Sequence, residues 1–97
     1  MKDYFYFKNL TPRQQLNDLI HKYAQITNGK YGDAWRELDK RWKQKTGTSL
    51  SLLRWKYNQQ NNVKLTTPVV IERAGKMKEA LVIAHEMTGN ILLGSIL

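Results

Sequence analysis

Apolar residues recur at helical spacing along most of the chain, and each run ends at residues that favour a turn. Leu16, Leu19, Ile20, Tyr23 and Ile26 follow one another at intervals of one or three, which places them on one stripe of a helix. Thr11-Pro12 starts that helix, with threonine as N-cap and proline at the first helical position, where its missing N–H costs nothing. Asn28-Gly29 ends it, because both residues tolerate the left-handed conformation of a C-terminal cap. A second helix is predicted from Asp33 as N-cap to Thr46-Gly47. Trp35, Leu38 and Trp42 share its inner face, so both tryptophans read as core. Arg36, Lys40 and Lys43 occupy the neighbouring face, and Arg41 and Lys45 form a further i, i+4 pair.

Thr48 or Ser49 then caps a third helix. Leu50, Leu53 and Tyr57 form its apolar side, while Arg54, Lys56, Asn58, Gln59, Gln60, Asn61 and Asn62 crowd its exposed side and its end. Trp55 lies off the apolar stripe. Thr67-Pro68 repeats the first capping signal and predicts a short helix over 68–74. Gly75 either breaks that helix or sits within a longer one. Met77, Leu81, Ala84 and either His85 or Met87 carry a last stripe to Gly89-Asn90, where the helix should stop. Outside these elements lie four consecutive aromatics at 4–7, read as a short strand or an extended arm that packs on the core, since exposed they would form an apolar patch of the kind found at interfaces. The apolar tail at 91–97 is expected to be buried against the first helix or a second subunit. The pattern predicts an all-α single domain over 1–97, a small helical bundle. It comprises an N-terminal aromatic arm at 1–10, a helix-turn-helix-like centre at 33–61 and C-terminal helices at 67–89.

Composition narrows the function classes. A chain of 97 residues, 41% of them hydrophobic and 25% charged, supports one modest core and leaves little room for a deep substrate cleft. The absence of cysteine excludes disulfides and cysteine metal sites, and it favours a reducing, cytoplasmic setting. The first residues are too short and interrupted a stretch for a signal peptide. No run approaches the roughly 20 apolar residues of a membrane span, so a soluble protein is expected.

Charge changes the picture more. There are 16 lysines and arginines against 8 acids. Residues 40–71 contain no acid at all, yet Lys40, Arg41, Lys43, Lys45, Arg54, Lys56 and Lys64 fall there. Such a one-sided field favours polyanions.

Two amphipathic helices joined by a short glycine-containing turn, Thr46-Gly47-Thr48, describe a helix-turn-helix. In that arrangement the second helix enters the major groove of DNA. Arg54 is then the candidate for guanine, and Asn58, Gln59 or Asn61 for adenine, since an amide matches the donor and acceptor on adenine's edge. Lys40, Arg41, Lys43, Lys45 and Lys56 are candidates for phosphate contacts, which carry no sequence information. Trp55, beside Arg54, completes the core, stacks on a base or anchors a protein partner.

Catalytic constellations are missing. His85-Glu86 starts like a zinc-protease motif, but Gly89 stands where its second histidine belongs, and His21 is the chain's other histidine. Ser49, Ser51 and Ser95 lack a nucleophile elbow, the glycines form no phosphate loop, and no carboxylate pair suggests acid–base work. Glu37 precedes Arg41 by four, an ordinary stabilising pair. No catalytic residue, metal or cofactor is expected.

Residues 34–47, Ala-Trp-Arg-Glu-Leu-Asp-Lys-Arg-Trp-Lys-Gln-Lys-Thr-Gly, and residues 71–81 resemble the helical C-terminal regions of phage antirepressors. The resemblance rests on core positions. It implies a small phage or prophage regulatory protein acting on DNA or on a regulator. The expectation is a duplex-DNA-binding regulator, paired as a homodimer over two half-sites. One alternative is an antirepressor or inhibitor module that captures an acidic protein through aromatic anchors. The other is a binder of RNA or single strands.

Overall fold

Thr11 turns the chain into the first helix. Its hydroxyl accepts the N–H of Gln14 at 3.2 Å, and the Gln14 side chain accepts the N–H of Thr11 at 2.9 Å. This reciprocal pair satisfies two donors that a helix start leaves open. The computed structural model describes residues 10–96, with side chains for 10–89. They form α1 (Pro12–Ile26), α2 (Tyr31–Thr46), α3 (Leu50–Asn61), α4 (Thr67–Arg73) and α5 (Met77–Ile96), with no strand among the described residues. The all-α bundle expected from the pattern is the fold. The aromatic arm at 4–7 lies outside the described residues, as does the burial of the tail at 91–97.

Asn28, rather than Gly29, takes the left-handed conformation after α1, with φ 55°. The N–H groups of Asn28 and Gly29 reach back to the carbonyls of Gln25 and Ala24, which satisfies the end of the helix. Asp33 is not the cap of α2. The helix starts three residues earlier, from Lys30, which makes no side-chain cap bond. Tyr31 anchors that extra length against α1. Its ring lies 4.2 Å from that of His21, and its hydroxyl donates to Asn17 Oδ1 at 3.3 Å. Asp33 remains in the first turn, where a negative charge suits the helix dipole, and holds Arg36 at 2.9 Å.

Two further boundaries differ from expectation. Helix α4 starts at Thr67 from Thr66 as N-cap, so Pro68 occupies the second helical position, where it also forfeits no bond. Gly75, with φ 73°, ends α4 rather than continuing it. Helix α5 does not stop at Gly89-Asn90: it runs through them to Ile96. A glycine inside a helix costs only about 1 kcal/mol, and the leucines and isoleucines that follow are adequate helix formers with no proline to stop them.

The core lies between α1, α2 and α5, whose most extensive contact is α1 on α5. Leu16, Leu19, Ile20, Leu38, Trp42, Ile83, Ala84 and Met87 are buried together there, with Ile71 from α4. Fully burying each large side chain contributes about 1.5–3 kcal/mol. Met87, not His85, continues the stripe of α5; His85 faces solvent. Trp42 is buried and Trp35 half-buried against the same cluster. Helix α3 sits at the edge of this core, packed chiefly on α4 and α2: Leu50, its one buried residue, joins the cluster, and Leu53 packs against it. No helix among the described residues is long and apolar enough to cross a membrane.

Candidate nucleic-acid interface

The path from α2 to α3 is a three-residue turn built by local chemistry. Gly47 caps α2 with φ 81° and donates to the Lys43 carbonyl. That left-handed conformation is unfavourable for any residue with a Cβ. The Thr46 hydroxyl accepts the N–H of Thr48. Ser49 caps α3, accepting the N–H of Leu52 at 3.1 Å. Asp39, one helix back, accepts the N–H of Leu50 at 2.6 Å and the hydroxyl of Ser51 at 3.3 Å. A carboxylate therefore fastens the first turn of α3 to the middle of α2, through a charge-assisted bond that is stronger than a neutral one.

The other end of α3 is fastened by the loop at 62–66. The Asn58 amide donates to the Leu65 carbonyl and accepts the Leu65 N–H, both at 3.1 Å, and Arg54 Nε donates to the same carbonyl at 3.1 Å. Asn62, left-handed at φ 51°, begins the loop. Held at both ends, α3 leaves its outer face in solvent. Leu52 is 41% exposed and Trp55 60%, and Lys56, Gln59, Gln60 and Asn61 are exposed as well.

On that face Ser51, Trp55, Gln59 and Asn62 recur at i, i+4, i+8 and i+11. Together with Arg54 and Asn58 they form one wall of an open groove of about 570 Å³. Val63 and Lys64 of the loop complete the lining. The groove thus combines a flat indole, two cations and several amides, with no carboxylate.

The structure divides the residues predicted to touch nucleic acid. Arg54, Trp55, Asn58 and Gln59 share the groove. Within it, Asn58 has its amide edge already paired with the Leu65 backbone, so its visible role is to hold the loop. Arg54 commits only Nε, so its terminal nitrogens remain available among the described contacts. Asn61 donates to the carbonyl of Tyr57 in its own helix at 2.9 Å. The cations of α2 stand apart: Lys40, Arg41 and Lys45 line a separate depression with Glu37 and Glu86. Arg41 is tied there to Glu37 at 2.8 Å and Lys45 to Glu86 at 3.1 Å. Lys40, Lys43 and Lys56 are exposed and have no carboxylate partner among the described residues.

Lys64, Ser51 and Asn62 are groove residues that the helical pattern does not single out. Lys64 belongs to the acid-free run, but a loop residue has no periodicity to link it to a helix face. The Asn58–Leu65 pairing makes that link. The histidines stand separately on α1 and α5, both exposed.

No protein-family model matches the chain, and no curated protein or solved structure matches it either.

Proposed function

We propose that this protein binds nucleic acid without catalysing a reaction. In this reading it is a regulator of the phage or mobile-element type that presents α3 to the major groove of duplex DNA. The observation that carries the reading is the outer surface of α3. The helix is anchored by Asp39 and Leu65 and exposes Arg54, Lys56, Gln59 and Asn61 around its solvent side, with no acid among its residues. A single helix of this kind matches the width of the major groove. Lys40 and Lys43 on α2 then hold phosphates, Arg54 and Gln59 meet base edges, and two copies sit over two half-sites.

The test is a fluorescence titration with a random duplex from low to physiological salt. With about four phosphates displaced, two by each copy, log affinity should fall against log salt with a slope of about −3.6. Lys43→Ala should weaken all sequences alike, while Arg54→Ala should relax sequence preference. Absence of binding at low salt would end this reading.

A second reading has its own observation. Leu52 and Trp55, one helical turn apart, are both well exposed, and aromatic side chains dominate protein-binding hot spots. As a module capturing an acidic regulator, the protein would lose its partner on Trp55→Ala, and neither Arg54→Ala nor Lys43→Ala would be read out on DNA.

A further inference from the structure

We infer that the groove between α3 and the loop at 62–66 holds one unstacked nucleotide. Its base lies on the Trp55 indole, and its phosphate lies between Arg54 and Lys64. The inference rests only on the nucleic-acid-binding part of the reading above; in place of an intact duplex with Arg54 on a base edge, it takes as ligand a single strand or a duplex carrying an unpaired nucleotide.

Three features point this way. First, Trp55 keeps more than half its surface in solvent and stacks on no other ring among the described residues, whereas Trp35 and Trp42 are taken up by the core. An exposed flat ring beside cations is the arrangement on which unpaired bases stack regardless of sequence. In an intact duplex both faces of every base are covered by its neighbours, so Trp55 finds no base face there.

Second, the groove carries two cations that suit a phosphate. Arg54 on the helix and Lys64 on the loop line the groove with no carboxylate beside them. Arg54 is also steadied by its Nε bond to Leu65, which leaves its terminal nitrogens for a charge-assisted contact. Third, Gln59 stands one turn beyond Trp55 on the same face, and its amide offers both a donor and an acceptor to a base edge. The groove, at about 570 Å³, falls within the range of small-ligand sites and is not enclosed.

The experiment compares three fluorescein-labelled probes of one sequence by anisotropy at low salt: a perfect duplex, the same duplex with a one-nucleotide bulge, and the single strand. The bulged duplex and the single strand should bind about tenfold more tightly than the perfect duplex, the size of a single stacking contact. Both should quench tryptophan fluorescence. Trp55→Leu should abolish preference and quenching, and Trp55→Phe should keep the preference. Because Trp55 is exposed, both variants should retain the parent's thermal unfolding midpoint, which excludes misfolding as the cause. Equal binding of perfect and bulged duplex, or a preference that survives Trp55→Leu, overturns the groove assignment while nucleic-acid binding stands. Failure of all three probes to bind overturns both.

Discussion

Gly47 and Gly89 are the same residue in opposite situations. Gly47 closes α2 with φ 81°, and a Cβ added there would meet no atom within 4 Å. The cost of Gly47→Ala is therefore conformational alone, about 1–2 kcal/mol for a left-handed alanine. Gly89 lies inside α5, again with nothing within 4 Å of an added Cβ. There alanine removes unfolded-state freedom without strain, so Gly89→Ala should stabilise the protein by about 0.4–1 kcal/mol. Chemical denaturation of the two variants should give midpoints that move in opposite directions. A loss of stability in Gly89→Ala would mean that α5 ends at this position, as the bare sequence suggests, and does not continue to Ile96.

At the scale of elements, the stripes of apolar residues place all five helices, because burial of one face is what holds each helix in the bundle; the end of α5, which runs seven residues past Gly89, is the large exception. Leu16, Leu19 and Ile20 in α1 and Leu38 and Trp42 in α2 are buried as their spacing demands. Boundaries were less legible, since they depend on partners distant in sequence. Tyr31 extends α2 by packing on His21, and nothing local to Asp33 announces that contact. The groove was half legible for the same reason. Arg54, Trp55 and Gln59 could be read from the outer face of α3, but Lys64 is brought to them by a loop pinned through Asn58.

Asp39 is the strongest case of such a distant contact, because this α2 residue, which the apolar spacing does not single out, fastens the first turn of α3. Asp39→Ala removes the acceptor for the Leu50 N–H and the Ser51 hydroxyl. It should cost about 1–2 kcal/mol, the usual range for losing a helix cap. Amide exchange at Leu50 should speed up selectively, while Leu16 and Ile20 in the core keep their protection. Uniform loss of protection would show instead that α3 is integral to the core.

For the whole molecule the decisive quantity is where its excess positive charge is left uncompensated. The net charge of +8 is distributed unevenly: two of the seven cations in the acid-free run are neutralised in the folded state by Glu37 and Glu86. Those exposed or half-exposed pairs contribute at most about 1 kcal/mol each to stability, so their larger effect is to mute the field of α2. Glu86→Gln frees Lys45 at the depression shared with Lys40 and Arg41. If α2 lies along a phosphate backbone, affinity for every duplex should rise at low salt and the salt slope should steepen by about 0.9, the value for one added phosphate contact. Glu72→Gln is the matched control. It raises the net charge equally but frees Arg13, on α1 rather than on the basic flank of α2. A long-range effect of total charge predicts the same gain from both variants. A gain confined to Glu86→Gln would place the polyanion against α2. Equal gains would leave α3 and its groove as the part of the molecule that makes contact.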